Sequence, residues 1–330
     1  MKRRAALQFV TALGAGVAVL PGVLDKVRFS ADKHFDRAVG LDDWEQAVHE
    51  YGQRVMGRPA GSLLNDLATD VIAVGRRLDR PHAPLERAGL LRTSAGLSGL
   101  MAIELGDIGD TRAARVSWSI ARRAADASGD KVLRVWVRGR AAQDAYWGQR
   151  SDQIVSDLTD EAIGIAGGKP SAGLARAYAA RAYLAAGQGN RNEALASIEK
   201  TKETFERLTQ GTDGPTVLTY RESQLRWAES YVFTRLGDDR GMTALTRALD
   251  LFPPDARGAV ANLNLMRAAA LVKARDVDAG LHHAVTTAQK LSESTTVRTR
   301  LLTGQILRAL PDQVRGLPAA HDLRALTSVA

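Results

Sequence analysis

The stretch Ser171–Arg207, SAGLARAYAARAYLAAGQGNRNEALASIEKTKETFER, most narrows what this chain can fold into. It reads as two helices hinged at Gly187-Gln-Gly-Asn190. The first carries Tyr178, Ala182 and Ala185 on one side, and the second carries Ala194, Ile198 and Thr201 on a facing side. Small residues at Ala182 and Ala194 let two backbones approach, and the larger Tyr178 and Ile198 fill the space beside them.

The hinge recurs. Turn signals fall at Gly109-Asp110, Gly148-Gln149, Gly189-Asn190, Gly237-Asp238 and Arg275-Asp276. They lie about 40, 40, 48 and 38 residues apart, a period typical of helical-repeat arrays. The long interval takes up the turn-rich Gly211-Thr-Asp-Gly-Pro215. The small–large pattern also recurs, as Ala102 and Leu105 before a turn with Ala114, Trp118 and Ala121 after it, and as Ala268 and Leu271 followed by Gly280 and Ala284. The fold expected is all-α, a tetratricopeptide-like helical-repeat solenoid of about five to six hairpins. Abundant Ala, Leu and Arg, with few β-branched or aromatic residues, agree with helix nearly throughout.

The expected organisation has four parts: a leader or linker at 1–30, an N-terminal helical pair at 31–84, the repeat array at 85–292 and C-terminal capping helices at 293–330. In the pair, Trp44, Val48, Tyr51 and Val55 share one helix face, and Ser62 is expected to cap the second helix. Arg80 to Pro84 read as a loop because of the two prolines. Residues 1–24 place three basic residues before an apolar run from Ala5 to Leu20. Two readings stand: a leader that packs on the first repeat, or a signal-like segment that exports the chain or tethers it to membrane. The same apolar run offers a surface for homodimer formation.

Composition removes several function classes. There is no Cys, so disulfides, thiol chemistry and Cys-based zinc sites are excluded. The net charge is +8, but the Arg residues are interleaved with Asp and Glu along helices rather than gathered on one element. The pair His282-His283 is adjacent, so its rings diverge on a helix. Gly167-Gly168-Lys169 is followed by Pro170, and Ile163 stands where a phosphate-binding loop needs its first Gly. The expectation is a protein that is not an enzyme, with no metal and no cofactor.

The opening KRRAALQFVTALGAGVAVLPG and the segments LGDIGDTRAARVSWSIARRAADASGD and GQGNRNEALASIEKT resemble one family. It is the tetratricopeptide-containing portion of actinobacterial transcriptional regulators that carry an N-terminal helix-turn-helix of the Cro/repressor type. In that family an R-R-x-x-L-x pattern and an apolar Ala/Gly run link the helix-turn-helix to the repeats. The resemblance implies a cytoplasmic protein that regulates transcription or development by binding a peptide, a small signal or a partner protein. Residues 1–30 lack the patterning of a helix-turn-helix, so direct DNA binding is not carried over. A weaker nucleic-acid reading rests on Arg134, Arg138 and Arg140.

The first helices of a repeat array line its concave face. Projected from the turns, the inward positions fall on Gln143 and Tyr146, then Arg176 and Tyr183, then Gln224, Trp227 and Tyr231, then Asn262. The first hairpin gives Gly96, Gly99 and Ile103, which suggests a packed end. Amides at this spacing suit an extended peptide backbone, aromatics offer rigid contact area and Arg176 suits a carboxylate or phosphate. In the competing reading the aromatics pack between hairpins and Arg176 meets an acid of its own chain.

Overall fold

The computed structural model describes residues 40–209, 216–253, 256–291 and 296–328. The leader expected at 1–30 and the turn-rich 211–215 lie outside the described residues. All regular structure among the described residues is helical. The helices are α1 Leu41–Gly57, α2 Leu64–Leu78, α3 Pro84–Ile108, α4 Thr111–Ser128, α5 Lys131–Trp147, α6 Asp152–Ala166 and α7 Ala172–Gly187. They continue as α8 Arg191–Glu206, α9 Glu222–Leu236, α10 Arg240–Leu251, α11 Arg257–Lys273, α12 Val277–Gln289, α13 Val297–Ala309 and α14 Pro318–Ser328. A 3-10 turn, Asp312–Val314, precedes the last. The fourteen helices among the described residues exceed five to six hairpins; α1, α2, α13 and α14 account for the excess over five. No helix among the described residues is long and apolar enough to cross a membrane.

Each turn position read from the sequence lies between two of these helices, and the local chemistry explains why. Gly109, Gly189 and Gly237 take positive φ, which stops a helix without a Cβ clash. The next residue then caps the following helix: Asp110 Oδ1 accepts from Ala113 N at 2.9 Å and Asn190 Oδ1 accepts from Glu193 N at 3.2 Å. Arg275 does the same with a side chain, at φ +70°, ahead of the capping Asp276. Asp238 follows Gly237 but is not the N-cap of α10, which is Asp239; it accepts from Arg240 N and ion-pairs with Arg240 and Arg191, which hold its carboxyl down at about 2.

The chain divides into two compact units. The first comprises Met1–Arg138 with Thr216–Leu218, and the second Gly139–Pro215 with Thr219–Ala330. Helix α5 contributes to both.

In the first unit, α3 packs against α1, α2 and α4, and is buried along most of its length. Gly96, Gly99 and Ile103 are among its buried positions. A Cβ added at Gly96 would lie 2.7 Å from Val48 Cγ1 of α1, so the glycine sets how closely α1 can approach. The segment Thr216–Leu218 is bound into this unit: Val217 N donates to Gly52 O at 2.9 Å, and Trp136 Nε1 donates to Val217 O at 3.3 Å.

Two local expectations are corrected here. Pro84 is not a loop residue but the first residue of α3, where its missing N–H is not needed. Ser62 does not cap α2; the N-cap is Leu63, without a side-chain cap of its own. A carboxylate from elsewhere supplies the acceptor instead. Glu104 of α3, 1% exposed, takes the Leu63 N–H on Oε2 at 3.4 Å. Burial pushes this carboxyl up to about 7, against the lowering effect of the Leu63 and Gly61 amides, and Asp107 adds to the rise.

In the second unit the helices pack as neighbours. The pairs α7–α8, α9–α10 and α11–α12 each pack together, and α8 touches α9 as α10 touches α11. In addition α7 contacts α9, α9 contacts α11 and α11 contacts α13. Helix α14 lies against α12 and α13. Within the organising hairpin, Ala182, Ala185, Ala194, Ile198 and Thr201 are buried as their spacing predicts, while Tyr178 is only half-buried.

Candidate functional site

The second unit draws its most varied chemistry from α5, α7, α9 and α13. Gly139 makes the first of these contacts possible, because a Cβ there would land on the carbonyl oxygen of Gly173 at the start of α7. The Ala-rich α7 keeps its neighbours close. Larger side chains near the ends of these helices therefore meet one another.

Five aromatic rings converge: Tyr146 and Trp147 from α5, Tyr183 from α7, and Trp227 and Tyr231 from α9. Trp147 and Tyr231 have centroids 4.8 Å apart, Trp147 and Trp227 5.3 Å, and Tyr146 and Tyr183 5.7 Å. Trp227 and Tyr231 are stacked, and most other pairs meet edge to face, the arrangement that the ring quadrupoles favour. The Tyr146 and Tyr231 hydroxyls are hydrogen-bonded at 2.5 Å, and Gln305 Nε2 of α13 donates to the Tyr231 hydroxyl at 3.1 Å. Arg298, also from α13, lies 5.5 Å from the Trp147 ring and 5.8 Å from that of Trp227, within cation–π range.

A polar group adjoins the rings. Arg176 of α7 is buried; its Nη1 donates to Gln143 Oε1 at 3.2 Å and its Nη2 to Thr219 O at 2.9 Å. Its guanidinium lies 5.5 Å from the centre of the Tyr220 ring. Arg140, also buried, donates to Asp144 Oδ1 at 2.5 Å. Burial, and next the charge of Arg140, bring Arg176 down to about 10. Burial raises the Tyr183 hydroxyl, although Arg298, Arg176 and Arg140 act in the opposite direction. Burial likewise raises Tyr146 and Tyr220, so all three phenols stay protonated at neutral pH.

The eight residues expected to line a groove thus fall into three sets. Tyr146, Tyr183, Trp227 and Tyr231 come together, as the reading of aromatics packed between hairpins has it. Gln143 and Arg176 meet each other. Gln224 and Asn262 serve separate internal roles. Gln224 Oε1 accepts from Arg221 N at 2.9 Å as the capping-box residue of α9, and Asn262 Oδ1 accepts from Thr299 Oγ1 at 3.2 Å. Arg134 and Arg138, part of the weaker nucleic-acid reading, are spent on Asp126, and Arg140 on Asp144.

The sequence projection missed Trp147, Arg140, Asp144, Tyr220, Arg298 and Gln305. Trp147 follows Tyr146 directly and so falls off a stripe drawn at helical spacing. The adjacent Tyr146-Trp147 pair, in a chain with six Tyr and five Trp, was the available signal. Arg298 and Gln305 sit in a helix that the sequence marks only as a terminal cap.

Comparison of the chain with family models, with curated proteins and with solved structures finds no match.

Proposed function

We propose that this chain is a non-enzymatic regulatory binding protein, built as a tetratricopeptide-like repeat array whose first helices in the second unit hold its ligand or partner. One observation carries the reading. Helices α5, α7 and α9, each the first of its pair, bring two of the five Trp and three of the six Tyr into ring contact, with the buried Arg140 and Arg176 on the same helices. Elsewhere the core is built mainly of Ala, Leu and Val, so this concentration of amphipathic and cationic side chains is more than packing alone requires. In this reading the protein acts in the cytoplasm, in transcriptional or developmental control, on a peptide, a small signal or a partner protein. Direct DNA contact is not part of it.

Trp147 and Trp227 supply the reporter. Fractions of an extract of the source organism, separated by size and charge, are titrated against the protein while tryptophan emission and thermal midpoint are followed. A ligand of the proposed site changes both, and the emission change is lost in the Trp147→Phe, Trp227→Phe double variant. If no fraction shifts either quantity, or the emission change survives the double substitution, the reading is wrong.

A further inference from the structure

Helix α4 of the first unit carries a stripe of positive charge with no acid among it. Between Asp110 and Asp126 the chain holds Arg112, Arg115, Arg122 and Arg123 and no Asp or Glu. Arg112, Arg115 and Arg123 are exposed, and so is Ser119 between them. At ~3.6 residues per turn, Arg112, Ser119 and Arg123 fall within about 40° of one another around the helix, with Arg115 beside them. These three Arg make no ion pair among the described residues; Arg115 Nε donates to the Thr111 carbonyl oxygen at 3.1 Å. The acids at the two ends of the stripe are engaged elsewhere, Asp110 with Ala113 N and Asp126 with Arg134 and Arg138. In the same unit Arg54, Arg77 and Arg92 each meet a carboxylate. Arg112 and Arg115 also stand at the start of α4, where the helix dipole disfavours a cation, and at a spacing where like charges repel. Apolar side chains border the stripe. Val116 and Ile120 are half-buried on α4, and Ile108 and Val132, 41% and 54% exposed, lie just before and just after it along the chain.

We propose that the exposed face of α4 docks an acidic amphipathic helix of a partner protein. The partner's carboxylates pair with Arg112, Arg115 and Arg123, the small Ser119 leaves room at the centre of the stripe, and the partner's apolar edge meets Val116 and Ile120. Acids three and four residues apart on a helix match the Arg spacing, and the guanidinium fork suits a carboxylate. Arg112 to Arg123 span about 16 Å, a length that a single helix of ordinary size covers. A nucleic-acid strand suits the surface less well. Its phosphates continue past both ends of the stripe toward Asp110 and Asp126, and they make no use of Val116 and Ile120. The surface belongs to the first unit and uses none of the residues assigned to a ligand in the second, so it stands without that reading.

The test follows the fluorescence anisotropy of labelled probes titrated with the full chain. The first probe is a synthetic helical peptide with Glu at i, i+4 and i+7 and Leu along the adjoining edge. The second has Lys in place of each Glu, and the third is a single-stranded DNA of the same charge as the first. The acidic peptide should bind, more weakly as salt rises, and the Lys peptide should not. The Arg112→Glu, Arg123→Glu double variant should weaken the acidic peptide about tenfold or more. The Arg58→Glu, Lys169→Glu variant alters two exposed cations elsewhere and changes the net charge equally. It should weaken the peptide less than about twofold, since it acts only through the general field. If the first double variant does not keep the parent's far-UV circular dichroism and thermal midpoint, Arg112→Gln, Arg123→Gln replaces it, with a loss of about threefold or more expected. The proposal is overturned if the acidic peptide does not bind, or if the two charge-reversed variants weaken it equally. It is also overturned if the DNA binds as tightly as the peptide and loses as much affinity in the Arg112, Arg123 variant, which would make the partner a nucleic acid.

Discussion

Substituting Glu104 by Gln tests whether a long-range carboxylate, rather than a local cap, holds the start of α2. The group is 1% exposed on α3 and accepts the Leu63 N–H on Oε2 at 3.4 Å. Its pKa is pushed from the ordinary 4.5 up to about 7, mainly by burial. The folded protein therefore binds a proton that the unfolded chain has released across that interval. Stability from this group is fully present below about 4.5 and is lost as pH rises through about 7. A displacement of this size corresponds to about 3 kcal/mol between the two limits. Gln cannot ionise, but its amide oxygen can still accept from Leu63. Urea unfolding of the parent and Glu104→Gln, run from about pH 5 to about pH 8, isolates the effect, because other titrating groups such as His283 cancel in the difference. The variant should gain about 3 kcal/mol relative to the parent over that range. A difference that stays constant to within about 1 kcal/mol would show that Glu104 titrates normally and does not sit dry beneath α2.

Other substitutions probe the second unit. Gly139→Ala should cost about 1–3 kcal/mol or more by urea unfolding, because the new methyl meets the Gly173 carbonyl, which is backbone and cannot turn away. Asp276→Ala should cost about 1 kcal/mol through loss of the bond to Ala279 N, whereas Arg275→Gly should stabilise by about 1 kcal/mol by relieving a side chain at φ +70°. Thermal unfolding of the pair checks the opposite signs. Tyr231→Phe should cost about 1–2 kcal/mol, because it removes the hydroxyl that bonds Tyr146 and Gln305, and it should leave the near-UV circular dichroism of the stacked rings largely intact.

How much was legible in the sequence depended on distance along the chain. The turn at Gly189-Asn190 could be read because its signals lie side by side: one residue leaves the helix through the left-handed region and the next caps the new helix. Even Arg275-Asp276, which lacks a Gly, declared itself through the capping Asp. The faces of α7 and α8 were legible for the same reason, since helical spacing alone assigns Ala182, Ala194 and Ile198 to the buried side. Pro84 shows the limit of local signals, because the same proline fits a loop or the first turn of a helix.

The sequence by itself determined the helical class, the hairpin turns and most of the buried faces, because these follow from backbone preferences and a 3.6-residue period within a few neighbouring residues. Only the tertiary structure decided that Glu104 serves Leu63, that Gln143 serves Arg176, and that Arg298 and Gln305 reach back to rings on α5 and α9. It also decided that Gln224 and Asn262, chosen for an extended ligand, have internal partners. Periodicity names the face that a helix covers but not the side chain that covers it. That partner lies tens to more than a hundred residues away, and it is chosen by how closely helices such as α5 and α7 can approach.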